Sequence, residues 1–331
     1  MHKITIIGLG QIGASMGTDL RGKFAGVEIV GHDKEPEVAG KARKKGAIDR
    51  TSYTLPSAVE DAAIVIVAVP VESVREVLGS IAPHLSPGAI VTDVSSTKTR
   101  VLEWAEELLP ESVEFVGGHP MAGVETPGVE GAQSGLFERA TYALIPLGRT
   151  SPKAVETVVN LVQVLGAKPF FLDPQEHDSL VAAVSHLPIA LSITLMQTVS
   201  HAPSWREMSR LAAGSFRDVS RLASGSPAMH ADIFSTNRET VLLWIDRFQE
   251  ELQALRTLVE KGGPALRSHL DEAYEARYAW LRGRVGESEA DAAFADVPTA
   301  GEQTLTVFAG ERLVRAARRL DDRKKRRGRG G

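Results

Sequence analysis

Short β-branched runs alternate with segments of helical spacing through the first half of the chain, and helical spacing alone fills most of the second. Residues 3–8, Lys-Ile-Thr-Ile-Ile-Gly, are the first such run, and helical composition follows from Ala14 to Leu20. Residues 27–30 are a second run, and 62–69 form an unbroken apolar stretch of the kind found in a parallel strand buried on both faces. Residues 89–92, 113–116, 142–146 and 169–172 complete the strand candidates. Helical patterns lie between them at 71–85, at 97–109 with Val101, Leu102, Ala105 and Leu108 on one face, and at 151–165. Strand and helix repeating at this interval predict an α/β domain with a doubly wound, Rossmann-like sheet.

After Asp173-Pro174 the strand-like runs stop. The predicted organisation is a nucleotide-type domain over 1–173, an all-α domain over 174–284 and a partly disordered tail over 285–331 that ends in a basic run, Arg323 to Arg329. The first long helix, 174–200, carries Ser185-His186-Leu187-Pro188-Ile189, where the proline removes a backbone donor and predicts a kink beside His186. A short helix over 204–213 and a polar segment over 215–222 with Arg217 and Arg221 follow. From 236 to 260 Val241, Ile245, Phe248, Leu252, Leu255 and Val259 recur at spacings of four and three, a seam for another helix and a candidate dimer surface. Gly262-Gly263-Pro264 ends it, and a last helix runs to about Arg284.

Composition narrows the function classes. At 331 residues the chain exceeds the roughly 250–300 at which single cores stop growing, which supports two domains. A net charge of -4 gives no reason to expect nucleic acid as a partner. The absence of cysteine excludes disulfides, thiolate metal sites and cysteine nucleophiles, and it fits the cytoplasm. Lys3 interrupts the apolar start, so no signal peptide is expected, and no apolar run approaches the ~18 residues of a membrane span.

The first strand ends in Gly8-Leu9-Gly10-Gln11-Ile12-Gly13 and opens a helix, the context that gives a GxGxxG motif its meaning. Gly8 makes the tight turn, Gly10 leaves room for a pyrophosphate against the backbone, and Gly13 allows close helix packing. Gln11 and Ile12 lie at the helix N-terminus, where free N–H groups and the helix dipole favour phosphate. Asp33, twenty residues past Gly13, stands where a carboxylate accepts from ribose hydroxyls and repels a 2′-phosphate, so NAD is expected over NADP. Ligands of such sheets sit beyond the strands' carboxyl ends, and Val69-Pro70, the loop 93–98 and Gly117-Gly118-His119 all fall there.

Ser95 and Thr97 have a second reading as helix caps, and Lys98 reads as a solvated charge in the first helical turn. Glycines on either side of His119 permit close approach of a ligand to the main chain, while Pro120 holds the histidine extended; alone, the stretch also reads as a turn with a satisfied histidine.

Taken together and in order, Gly8 to Gly13, the 93–98 loop, Gly117-Gly-His-Pro-Met-Ala-Gly123, Ser185-His-Leu-Pro188 and Phe216-Arg-Asp-Val-Ser-Arg221 resemble the prephenate/arogenate dehydrogenase family over about residues 3–262. The resemblance implies NAD-dependent oxidative decarboxylation of prephenate in tyrosine biosynthesis, with arogenate as the alternative substrate. It implies that His119 accepts the proton of the substrate's C4 hydroxyl and that Ser96, next to Ser95, bonds to that hydroxyl. Arg221 would hold the side-chain carboxylate, His186 would lie in the same pocket, and the helical domain would dimerise. Ile189 stands where many prephenate-using members carry a second histidine, and no regulatory ACT domain is expected after residue 284.

The residue types fit that chemistry independently. Removing a hydroxyl proton as hydride departs needs a base with a pKa near neutrality, which histidine supplies, and an arginine binds carboxylate in bidentate fashion. No metal is required. His177, His201 and His230 are expected at the surface or behind the site, and Arg217 is expected to pair with Asp218. A reading of another class, a non-catalytic NAD-binding regulator or scaffold, would place function in the dimer seam and the basic tail. A β-hydroxyacid dehydrogenase would need a lysine in the helical domain, where the first is Lys261.

Overall fold

The computed structural model describes residues 2–124 and 126–283; the basic run and the tail expected to be disordered lie outside them. Contacts divide the chain into two compact units, one up to Ile245 and the other from Asp246 onward.

The first unit is organised on an eight-stranded sheet of order β3-β2-β1-β4-β5-β6-β7-β8. Its strands are β1 (His2–Ile7), β2 (Val27–His32), β3 (Arg50–Thr51), β4 (Ala62–Val67), β5 (Ile90–Asp93), β6 (Glu114–Pro120), β7 (Thr141–Pro146) and β8 (Lys168–Phe171). Six of the seven pairings are parallel, and chain order reverses at β1/β4, the topological switch point where such sheets bind nucleotides. Crossover helices α1 (Gln11–Leu20), α2 (Pro36–Lys44), α3 (Leu55–Val59), α4 (Val71–Ile81), α5 (Thr99–Leu108) and α6 (Pro152–Val164) cover both faces. One core layer centres on Ile6, Met16, Ile29 and Ile66, and the opposite layer on Val67, Leu78, Val91, Val101 and Phe115.

The expected short strand over 113–116 is longer: β6 continues through Pro120 because β7 pairs with it antiparallel, Gly117 opposite Ile145 and His119 opposite Ala143. The two glycines are what allows this. A Cβ on Gly118 would stand 2.5 Å from the Asp93 carbonyl and 2.9 Å from the Tyr142 ring, and one on Gly117 would stand 2.8 Å from Leu102. They are there for packing rather than for ligand approach, and His119 belongs to a strand, not to a turn.

The helical part of this unit begins with α7 (Pro174–Val181), a π-helical turn (Ala182–His186) and α8 (Leu187–Ser200). Pro188 sits in the first turn of α8, where its missing donor costs little, and the preceding π-turn absorbs the expected kink. Contrary to the sequence expectation, this stretch, Pro174–Ser200, is 27 residues long and apolar enough to cross a membrane by length and composition, with 28% of its most apolar window buried. α9 (Trp205–Leu211), α10 (Gly214–Ser220), a 3₁₀ turn (Arg221–Ser224) and α11 (Pro227–Thr236) follow. The unit ends within α12 (Arg238–Lys261), and the second unit carries the rest of α12 and α13 (Gly263–Leu281).

Candidate active site

The glycine turn has the geometry expected of a phosphate cradle. Gly8 has φ +90°, and a Cβ there would lie 2.4 Å from the Ala68 carbonyl. On Gly13 it would lie 2.0 Å from the Gly8 carbonyl, whereas Gly10 faces open space, with nothing within 4 Å. Close packing is thus confined to the two glycines that hold α1 against β1 and β4, and Gly10 leaves a ligand free to approach. No side chain caps α1, so its first N–H groups are available to an anion. The Asp33 carboxylate accepts from the Leu9 amide at 2.8 Å and the Glu35 amide at 3.0 Å, fixing it at the mouth of the turn with lone pairs to spare for ribose hydroxyls.

Gln11 has a second task besides its place at the helix N-terminus. Its side chain donates to the carbonyls of Val124 and Thr126 and accepts from the Val124 amide, so only its main chain is left for a phosphate. Val69 is half-buried at the exit of β4, with Pro70 exposed as the N-cap of α4.

At the carboxyl ends of β5 and β6 lies a buried polar cluster centred on His119. Lys98, read from the sequence as a solvated charge, is fully buried: its Nζ donates to Asp93 and, at 2.7 Å, to the Gly118 carbonyl. Asp93 also accepts from the amides of Ser95 and Gly118, so one buried ion pair fixes the main chain both after β5 and within β6. Burial alone costs an ammonium several kcal/mol, and the Lys98 pKa is accordingly lowered by burial and only partly restored by Asp93.

His119 Nδ1 lies 2.9 Å from His177 Nε2, and His177 Nδ1 lies 2.8 Å from Asp178 Oδ1. His177, expected at the surface or behind the site, is completely buried and directly behind His119. Asp178 is the anchor: its carboxylate accepts from the amides of Lys98 and Thr99, capping an α5 N-terminus that has no cap of its own. Burial would raise the Asp178 pKa, but the bonds from His177, Thr99 and Lys98 outweigh it and hold the carboxyl below its ordinary value.

An ionised carboxylate only accepts, so His177 carries its proton on Nδ1 and offers the Nε2 lone pair. His119 must then donate from Nδ1, which leaves its own lone pair on Nε2. Burial first, then His177, Lys98 and His186, depress the His119 pKa well below that of free histidine and keep the ring neutral, as a proton acceptor requires.

His186 is also fully buried, its Nδ1 3.3 Å from Asn237 Nδ2 and its Nε2 without a hydrogen-bond partner. Burial pushes its pKa down to about 4, with His177 acting in the same direction against Asp178 and the Ser96 backbone. A histidine near 4 when folded and ~6.5 when unfolded takes up its proton on unfolding, so its contribution to stability is complete above 6.5 and is lost as pH falls toward 4. We expect His186 to cost about 2 kcal/mol of stability between pH 6.5 and pH 5. Denaturant titrations at the two values, repeated on His186→Gln, check it: the variant should lose less on acidification.

Ser95 is buried with its hydroxyl unpartnered, Ser96 is half-buried, and Thr97 bonds to Thr236 rather than capping α5. Arg221 is exposed at the start of the 3₁₀ turn, which packs against α8; Ser192 on α8 donates to the Val219 carbonyl and ties α8 to α10, which precedes that turn. The expected Arg217–Asp218 pair does not form among the described residues, and both side chains are exposed. His230 is buried against Gly225, His201 is exposed, and Ile189 is buried. Sequence reasoning missed Asp178 and Asn237 as site components; the only signal was polar residues at positions that proved buried.

Two family models match the chain: the nucleotide-binding domain of prephenate dehydrogenase over residues 16–170 and its dimerization domain over 173–272. A prephenate dehydrogenase of Bacillus subtilis is 38% identical over 260 residues, 78% of this chain and 70% of that protein. The crystal structure of a Synechocystis arogenate dehydrogenase superposes with TM-score 0.71 at 32% identity, covering 84% of this chain and 99% of that one. A prephenate dehydrogenase from A. aeolicus in complex with hydroxyphenyl propionate and NAD+ gives 0.78 at 31% identity, covering 84% and 98%.

Proposed function

The chain belongs to the prephenate dehydrogenase family of NAD-dependent oxidoreductases, and we propose that its own substrate is prephenate, with His119 as the base. The observation that carries this reading is the directed array Asp178–His177–His119, which leaves a neutral imidazole with its lone pair on Nε2. The glycine cradle and Asp33 would hold NAD, which when bound would supply the acceptor for the hydride leaving C4. His119 Nε2 takes the hydroxyl proton as that happens, and the developing imidazolium is stabilised through His177 by the Asp178 carboxylate. Ser96, beside Ser95, holds the hydroxyl, and Arg221 binds the side-chain carboxylate. Loss of the ring carboxylate as carbon dioxide leaves an aromatic ring, 4-hydroxyphenylpyruvate, which makes the step irreversible.

Arogenate is the second reading, favoured by the buried apolar Ile189. NADH formation by the purified protein with each substrate separates the two: a larger kcat/KM on prephenate supports the first, the reverse supports the second, and no turnover of either sinks both. Comparison of NAD with NADP in the same assay tests Asp33.

We also place the protein in the cytoplasm and read it as a homodimer formed through the helical part. Leu252 and Val259 on α12 are 54% and 61% exposed, an apolar face that a second copy would cover. The protein should elute at twice the monomer mass, and the double substitution Leu252→Glu with Val259→Glu should shift it toward monomer in light-scattering chromatography. An unchanged mass would remove α12 from the interface.

A further inference from the structure

The polar groups on the far side of the site form a second array that the base does not use. Asn237, buried just ahead of α12, donates from Nδ2 to the Asp178 carbonyl at 2.8 Å. That carbonyl can only accept, so the amide nitrogen must face it, and the orientation of the amide group is settled. The second hydrogen on the same nitrogen points at His186 Nδ1, 3.3 Å away. His186 Nδ1 must therefore hold the lone pair and Nε2 the proton. Nε2 is completely buried and has no hydrogen-bond partner.

We infer that Asn237 is a positioning residue that locks His186 as an Nε2–H donor, so that His186 presents a buried, otherwise unpaired N–H to the site. Asp178 then serves both sides of the site with different atoms. Its carboxylate sets His177 and, through it, His119 as an acceptor at Nε2, while its carbonyl sets Asn237 and, through it, His186 as a donor at Nε2. The two histidines are held in complementary tautomers by one residue of α7. The catalytic consequence rests on the function proposed above; the tautomer does not.

The lock is tested on the intact protein labelled with ¹⁵N-histidine, the His186 ring signals being identified by their loss in His186→Gln. The unliganded wild type should show His186 protonated at Nε2 with a bare Nδ1. Asn237→Asp replaces the donor with an acceptor and should move the proton to Nδ1 or protonate both nitrogens. Asn237→Ala, which introduces no charge, should give a mixture of the two neutral tautomers. Both variants should lower kcat on the order of tenfold while the KM for NAD stays within twofold, the pattern of a misplaced donor at the substrate. A bare Nε2 in the wild type, or a tautomer indifferent to both substitutions, overturns the lock. Unchanged kcat beside an altered tautomer overturns the positioning role. Failure of the wild type to turn over prephenate or arogenate would instead remove the function, leaving the tautomer result intact.

Discussion

His119→Asn should lower kcat by about 10³-fold and leave NAD binding within twofold of wild type. Asparagine fills the space and can still bond to His177, so strand β6 and its pairing with β7 should survive. What it lacks is a basic lone pair, and a positioned general base is worth ~10²–10⁴ in rate. The cofactor cradle lies on other elements, at the β1–α1 turn and the end of β2, so fluorescence titration with NADH reports it independently. Loss of turnover with retained NADH binding also excludes the reading of a non-catalytic NAD-binding scaffold. Turnover within tenfold of wild type would show that the proton goes elsewhere.

Asp178→Asn should have two separable effects. The carboxylate meets two donors at Oδ1, the Lys98 amide and His177 Nδ1, and one at Oδ2, the Thr99 amide. Asparagine supplies one acceptor oxygen, and two donors outweigh one, so the oxygen should stay at the Oδ1 position. Its amide nitrogen then opposes the Thr99 N–H in a buried place, and the α5 N-terminus loses half its cap. We expect a stability loss of about 3 kcal/mol from the unsatisfied donors and the removed charge. The His177 and His119 tautomers survive in that arrangement, but the negative charge that stabilises the protonated relay is gone. In a little-solvated site this should cost kcat about 10²-fold beyond any effect of folding. Denaturant unfolding measures the first effect and single-turnover NADH formation at low temperature the second. Full activity in the folded variant would reduce Asp178 to a helix cap.

Gly118 shows where local pattern and tertiary cause part company. From the sequence it is a glycine next to a histidine, and the natural inference is an open loop. In the fold it is a strand position crowded by Asp93 and Tyr142, where any side chain would collide. Lys98 illustrates the converse. A lysine in the first turn of an amphipathic helix reads as solvated, and only the Asp93 carboxylate at the end of β5, together with the Gly118 carbonyl, gives it a place inside.

By itself the sequence determined the alternation of strands and helices, the glycine turn with its helix, Asp33 at the end of the second strand, and the candidacy of His119, Ser96, His186 and Arg221. These are properties of short windows: strand and helix periods, backbone freedom at one glycine, residue types at fixed spacing. Only the tertiary structure decided that β6 runs through His119, that a π-turn accommodates Pro188, and that His177, Asp178 and Asn237 back the histidines. His119 meets a partner 58 residues away and His186 one 51 residues away. Pairings at that range are set by where α7 and the start of α12 close against the strand ends, and a buried polar group takes whichever partner that closure delivers, because leaving it without one costs more than any local preference can return.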